Sequence, residues 1–236
     1  MTHPTKVFHR SVFLEGLAGQ LEALLWTSPH PEPLFAAVVC HPHPLFGGTM
    51  HNKVVFRVAR TLHGLGLAVL RFNFPGAGMS AGRHDHGRGE VEDVRAAIDF
   101  LAEQFPGRPV LLAGFSFGAW VGLRVGCADA RVAELVGLGL PVNDSDFSFL
   151  RACSKPKLLI QGERDQYGRR EKIEALVPGA RGPAMAGPAE PPPDPTKLVF
   201  VPDADHFFTG KLAQVDRALD AWMRERHPQL KQTSSD

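Results

Sequence analysis

The chain has 236 residues and a formal charge of +1. That length fits one domain, the near-neutral charge leaves no basic footprint for nucleic acid or a membrane surface, and no apolar run approaches the ~18 residues that a membrane span needs. The first ten residues lack the apolar core of a secretory leader. The three cysteines, Cys40, Cys127 and Cys153, sit in or beside apolar runs without CxxC spacing. That pattern reads as buried free thiols in a reducing cytoplasm.

In chain order, Ser11 to Gly16 and Gln20 to Thr27 flank Leu17-Ala-Gly19 and predict an antiparallel hairpin. After a proline-rich break at Pro29 to Pro33, Leu34 to Cys40 is a strongly apolar strand that runs into His41-Pro-His-Pro-Leu-Phe-Gly-Gly-Thr49. Val54, Val55, Val58, Ala59 and Leu62 have helical spacing within Asn52 to His63, and Gly64 closes that helix or its next turn. Leu67 to Phe72 is a buried strand, followed by a glycine-rich loop. A helix is expected from Gly89 to Gln104, with Glu90, Glu92 and Asp93 in its first turn, where negative charge suits the dipole.

Four further strands are expected at Val110 to Ala113, Val132 to Leu140, Pro156 to Ile160 and Lys197 to Val201. Helices follow at Ala119 to Val125, Arg169 to Val177 and Thr209 to Arg226, and a polar tail begins at His227. Pro178 to Pro195 is dominated by proline and glycine and reads as an exposed loop inserted before the last strand. The alternation predicts an α/β fold: a mostly parallel twisted sheet of about eight strands with helices on both faces. Ligands bind such sheets at the carboxyl ends of the strands.

One of those ends carries Gly114-Phe-Ser-Phe-Gly118, between the strand Val110 to Ala113 and a helix. Strand, G-x-S-x-G and helix in that order form a nucleophile elbow. A serine at the tip of so tight a turn takes an unusual backbone conformation, and its neighbours two residues away on either side have no room for a Cβ. The turn lifts the Ser116 hydroxyl off the sheet. It also places the Phe117 N–H at a helix N-terminus, where a developing oxyanion is favoured.

An activated serine needs a base, and the base needs an orienting acid. On this fold the order is serine, acid, histidine. After the elbow only His206 and His227 remain, and His206 follows a strand while His227 lies in the tail. Asp165, just past the strand Pro156 to Ile160, is the first choice of acid, with Glu163 and Asp144 as alternatives. Asp203 and Asp205 are too near His206 in sequence to orient it and read as loop-shaping residues. The chemistry this constellation suits is acyl transfer: Ser116 attacks an ester or thioester carbonyl, His206 takes its proton, Asp165 holds the His206 tautomer, and water deacylates the enzyme. No cofactor or metal is needed.

At these residues the chain resembles the α/β-hydrolase family, from Val12 to about Met223. Three stretches are narrower. His41-Pro-His-Pro-Leu-Phe-Gly-Gly-Thr-Met50, Arg71-Phe-Asn-Phe-Pro-Gly-Ala-Gly-Met-Ser80 and Gly162-Glu-Arg-Asp165 look like the small, lidless bacterial serine hydrolases related to dienelactone hydrolases. The resemblance implies a single α/β-hydrolase domain in which the loop after the third strand supplies a second oxyanion N–H. The matching position is His43. Pro42 and Pro44 have no N–H, so His43 or Leu45 must donate.

Relatives with large caps insert them after the sixth strand. Here only Pro141 to Lys155 intervenes, too short for a cap domain. Phe147, Phe149 and Leu150 could form a small apolar substrate wall there, or simply belong to the core. The expected site is open, suited to short or flexible acyl groups or to an acylated macromolecule.

Three rival readings carry less. Gly76-Ala-Gly-Met-Ser-Ala81 fits a dinucleotide fingerprint, but the next helix starts near Gly89, so a phosphate would lack its helix N-terminus. His41, His43, His84, Asp85 and His86 look ligand-like but lack HxHxDH or HExxH spacing. A silent binding protein on the same fold remains the alternative to an enzyme, since fold alone never proves chemistry.

Overall fold

A computed structural model describes residues 9–27, 32–177 and 196–230. The Pro178 to Pro195 segment, expected to be an inserted loop, lies outside the described residues. Strands β1 (His9–Gly16) and β2 (Gly19–Trp26) form the antiparallel hairpin. There follow β3 (Ala36–Cys40), α1 (Lys53–Gly64), β4 (Ala68–Phe72), α2 (Gly89–Gln104), β5 (Val110–Phe115) and α3 (Phe117–Ala128). The chain continues with β6 (Val132–Leu138), β7 (Lys157–Gly162), α4 (Arg170–Leu176), β8 (Thr196–Val201) and α5 (Leu212–Arg226). The sheet order is β1-β2-β4-β3-β5-β6-β7-β8, parallel from β4 to β8.

The central strands are apolar on both faces because both faces are covered. In β3, Val38 and Cys40 point into a core shared with α2 and α3, through Ala97, Ile98, Ala119 and Leu123. Ala37 and Val39 point the other way, against Val55, Val58 and Leu62 of α1 and Leu219 and Trp222 of α5. The crossovers thus leave the carboxyl ends of β3, β5, β6, β7 and β8 at the same end of the sheet, in that order. Between β6 and β7 there is only a loop with a short 3-10 segment, Ser148–Ala152, and no cap.

The differences from expectation have local causes. β5 runs two residues beyond its apolar stretch, and α3 starts at Phe117 rather than Ala119, so strand and helix meet at Ser116 alone. Gly66, not Gly64, takes the left-handed conformation after α1. The expected polar tail does not begin at His227. The His227 Nε2 lies 3.0 Å from Glu134 Oε1, and Leu230 is buried against the α5 side of the core. A histidine that anchors to a buried carboxylate and a leucine with core to fill extend the packed body past the helix.

Two glycines make opposite predictions. A Cβ on Gly118 would collide with the backbone carbonyls of His41 and Cys40, which cannot retreat without distorting β3. Gly64, at the end of α1, faces open space and needs no positive φ. Gly118→Ala should lose about 1–3 kcal/mol of stability, whereas Gly64→Ala should gain roughly 0.5–1 kcal/mol by restricting the unfolded chain. Urea unfolding midpoints of the two variants check both signs.

Candidate active site

Ser116 sits between β5 and α3 at φ 56°, ψ −119°, a conformation that non-glycine residues rarely take. Three backbone hydrogen bonds hold it there. Its N–H donates to the Leu138 carbonyl (2.9 Å), and its own carbonyl accepts from Ala119 N–H (2.9 Å) and Trp120 N–H (3.1 Å). Gly114 is required because its Cβ would strike the Gly118 backbone. Gly118 is required because α3 begins pressed onto the end of β3.

The structure brings Ser116, His206 and Asp165 together. The Ser116 Oγ lies 2.9 Å from His206 Nε2, and His206 Nδ1 lies 2.8 Å from Asp165 Oδ2. With Nδ1–H donating to the carboxylate, Nε2 carries the lone pair that faces the serine hydroxyl. His206 and Asp165 are buried. Asp165 takes two further donors, Gln161 Nε2 (2.7 Å) and Tyr167 N–H (2.8 Å). Gln161 is itself fixed, accepting from Leu140 N–H through Oε1 (2.8 Å) and donating to the Gly168 carbonyl (3.2 Å).

Phe115, Tyr167 and Phe207 surround the His206 ring at centroid distances of 5.1, 4.6 and 5.2 Å. The other acids do not reach it. Glu163 pairs with Arg170, Asp144 is exposed, and Asp205 accepts N–H bonds from Phe207 and Thr209, which shapes the loop as expected.

The oxyanion candidates separate on their hydrogen bonds. The N–H groups of Phe117 and His43 donate to no acceptor among the described residues. The Leu45 N–H is occupied, donating to His43 Nδ1 at 3.3 Å. Their loop is held from behind by the end of β4. His41 Nδ1–H donates to the Pro42 carbonyl (2.6 Å), and its Nε2 accepts from Phe74 N–H (2.8 Å). Met50 is clamped at both ends, its N–H donating to Asn73 Oδ1 and its carbonyl accepting from Arg71, each at 2.7 Å. Arg71 is a buried cation without a carboxylate partner among the described residues. Its guanidinium lies 4.4 Å from the Trp26 ring, and burial pushes its pKa down to about 10.

The substrate wall expected at Phe147 and Phe149 needs correction. Phe147 is 2% exposed and packed in the α3 side of the core with Leu150, so it offers no face to a ligand; Phe149 is half-buried against the same cluster. Four other large apolar side chains near the triad and the His43 loop in sequence are exposed: Leu45, Phe46, Tyr167 and Phe207, with Phe46 86% exposed. Of the histidines weighed as metal ligands, His41 has both ring nitrogens occupied, while the His84 ring neighbours those of His43 and His86 at centroid distances of 4.4 and 5.0 Å. Among the described residues no three His, Cys, Asp or Glu side chains converge as ligands would. Also among the described residues, no helix is long and apolar enough to cross a membrane.

Gln161, Arg71 and Asn73 were not singled out as site residues by sequence reasoning. The available signal was a polar residue at the end of an otherwise apolar strand, as in Leu158-Leu-Ile-Gln161 and Val69-Leu-Arg71.

Residues 38–227 match the family model described as an alpha/beta hydrolase domain. An uncharacterized protein of Rickettsia prowazekii is 32% identical over 216 residues, covering 90% of this chain and 87% of its own. Among solved structures, XC6422 from Xanthomonas campestris, described as an a/b serine hydrolase without lid, superposes with a TM-score of 0.80 at 35% identity. That match covers 97% of this chain and 98% of the other. An alpha-beta serine hydrolase homologue from Coxiella burnetii gives 0.79 at 34% identity, over 94% and 100%.

The support behind the loop has a pH signature. Burial holds the His41 pKa down at about 4, because a charged ring would be desolvated and Nε2 could no longer accept from Phe74. The folded pKa lies below the unfolded one, so between about pH 4 and 6.5 the unfolded chain binds the extra proton and stability falls as pH drops. From pH 7 to pH 5 this residue should withdraw about 2 kcal/mol. Urea unfolding at the two pH values should show that loss in wild type and a smaller one in His41→Asn.

Proposed function

The chain belongs to the α/β-hydrolase family, and on that premise we propose that it hydrolyses carboxylic esters or thioesters through an acyl-enzyme on Ser116. The observation that carries the reading is the unbroken hydrogen-bond chain from Ser116 Oγ through His206 to Asp165. In the first step Oγ bonds to the carbonyl carbon while its proton passes to His206 Nε2. Asp165 keeps the ring in the required tautomer and stabilises the imidazolium. The carbonyl oxygen, now negative, receives the free N–H groups of Phe117 and His43. Collapse expels the alcohol or thiol, which takes the proton from His206, and a water molecule repeats the sequence to release the acid.

His43 is favoured over Leu45 as the second donor because its N–H is unoccupied. The exposed apolar side chains of Leu45, Phe46, Tyr167 and Phe207 suit a substrate with an apolar or aromatic group next to the scissile bond. Beside His206, a groove of about 550 Å³ bordered by His51, Phe207, Phe208 and Leu212 offers room for one arm of it. Among the described residues no cap closes over the serine, which supports flexible or surface-presented acyl groups over a rigid lipid held in a tunnel.

Turnover of p-nitrophenyl esters from two to sixteen carbons tests the mechanism. Ser116→Ala and His206→Ala should lose at least ~10³-fold in kcat, and Asp165→Asn roughly 10⁴-fold through the wrong tautomer. Activity should persist in EDTA. Wild type that turns over no ester and takes no fluorophosphonate label on Ser116 would instead support a silent binding protein.

The second donor has its own test. The φ of His43 is −54°, so proline fits its backbone and deletes only the N–H beyond what alanine deletes. His43→Pro should fall about 10²–10³-fold below His43→Ala in kcat. Equal rates for the two would reject His43 as a donor.

A further inference from the structure

A buried carboxylate lies behind the oxyanion loop, and the chemistry above makes no use of it. Glu90, in the first turn of α2, is wholly buried. Its Oε1 accepts from Asp85 N–H and its Oε2 from Gly87 N–H, both at 2.8 Å. It therefore closes the turn that ends the β4–α2 loop. That turn is pressed onto α3: Gly87, at φ 86°, has no room for a Cβ because the Trp120 ring occupies the space.

The side chain presented by this turn is His84, whose side chain is 2% exposed. Its Nδ1 lies 2.7 Å from Glu90 Oε1, at an angle too oblique for an aligned hydrogen bond, and its Nε2 is buried without a partner among the described residues. The opposite side of the His84 ring meets the site. Its centroid is 4.4 Å from that of His43 and 5.2 Å from that of Phe117, the two residues with unpaired N–H groups. Phe117 in turn touches His43 at 5.0 Å.

We infer that Glu90 and His84 are positioning residues for the oxyanion hole: the carboxylate fixes the turn, and the turn wedges the His84 ring between Glu90 and the His43–Phe117 pair. The reasoning is geometric. Within its own loop the His43 backbone is tied only at its carbonyl, which accepts from Phe46 N–H and Gly48 N–H at 3.1 Å each, while its N–H has no acceptor among the described residues. Its ring bears on Phe46, which is nearly all in solvent, and on the buried rings of His84 and Phe117. A displacement of His43 turns its N–H away from the carbonyl oxygen, and hydrogen bonds weaken steeply with angle. Substrate binding at the exposed apolar side chains would be untouched, so the cost falls on the transition state. The inference rests on the acyl-transfer reading.

Glu90→Gln and His84→Ala test it, with a trifluoromethyl ketone as the probe of the oxyanion hole. The ketone adds to Ser116 Oγ, the serine proton goes to His206, and the former carbonyl oxygen becomes the bound anion. Both variants should lose about tenfold or more in kcat, short of the ~10²–10³-fold for deleting a donor, with KM within about twofold. The inhibition constant of the ketone should rise by the same factor as kcat/KM falls. A fold defect that merely lowers the active fraction would leave that constant unchanged.

If Glu90→Gln does not fold, His84→Ala carries the test, because it leaves both N–H bonds to Glu90 in place. Folded variants with wild-type kcat and ketone affinity, or with a rise in KM alone, overturn the inference while wild-type turnover leaves the esterase reading intact. A wild type inert towards every ester and unlabelled by fluorophosphonate overturns the esterase reading and this inference with it.

Discussion

The site depends on how closely the first turn of α3 approaches the end of β3. Gly118 touches the carbonyls of Cys40 and His41 with nothing between them, which sets the elbow and the following loop as one unit. Ser116 accepts a positive φ because its N–H and carbonyl are both tied, to β6 on one side and to α3 on the other. Such strain costs on the order of 1–3 kcal/mol and persists only where the surroundings over-determine it. Here sheet register, helix start and two glycines fix it together. The same contact places the Phe117 N–H beside the His41–His43 segment, so the two unpaired donors belong to neighbouring backbones.

Around that contact the polar groups are buried, and each is tolerated for a stated reason. Asp165 is matched by three donors, from His206, Gln161 and Tyr167. A buried carboxylate so satisfied is rigid, and rigidity is what an orienting acid supplies. Arg71 follows a different logic: its guanidinium lies against the Trp26 ring, and burial loosens its hold on the proton. Its Nη1 donates to Met50, whose other end is held by Asn73. Two side chains at the end of β4 thereby fix the far end of the oxyanion loop, and His41 fixes the near end. Within the loop, the Phe46, Gly47 and Gly48 N–H groups donate back to His43 and Pro44, but its two prolines offer no N–H of their own, so the anchors at either end add to that internal turn.

What could be read from the sequence was the part whose cause is local. Apolar runs of four to seven residues mark buried strands, and the G-x-S-x-G at a strand end marks an elbow because the steric demand falls within five residues. The serine, acid, histidine order then left few choices, and Asp165 and His206 do meet Ser116. What could not be read depends on how loops and side chains turn in space, even between residues close in sequence. Gln161 meets Asp165 only because the loop after β7 folds back over its own strand. Glu90 looks like an ordinary first-turn acid of a helix until its carboxylate is seen under the Asp85–Gly87 turn. Phe147 has the composition of a wall and the position of a core residue; only its packing against α3 decides. The proposed preference for His43 over Leu45 rests on a side-chain acceptor two residues away, the His43 ring that occupies the Leu45 N–H.

The missing cap has a chemical consequence under the proposed mechanism. A lid excludes water and lets an acyl-enzyme wait for another nucleophile. With only the Ser148–Ala152 segment between β6 and β7, no described residue forms a lid over an acyl group on Ser116, and water is by far the most concentrated nucleophile around it. Hydrolysis is then favoured over transfer without any dedicated water site. Under the same mechanism the described residues give selectivity no enclosure, and it falls to exposed apolar side chains such as Leu45, Phe46, Tyr167 and Phe207, which give broad contact but few directional bonds. Such contacts bind ground state and transition state about equally, so they act on KM more than on kcat. The rate must then be set by the fixed donors and their supports, which places the chemical demand on the buried side of the site and leaves its open side free to accept varied acyl groups.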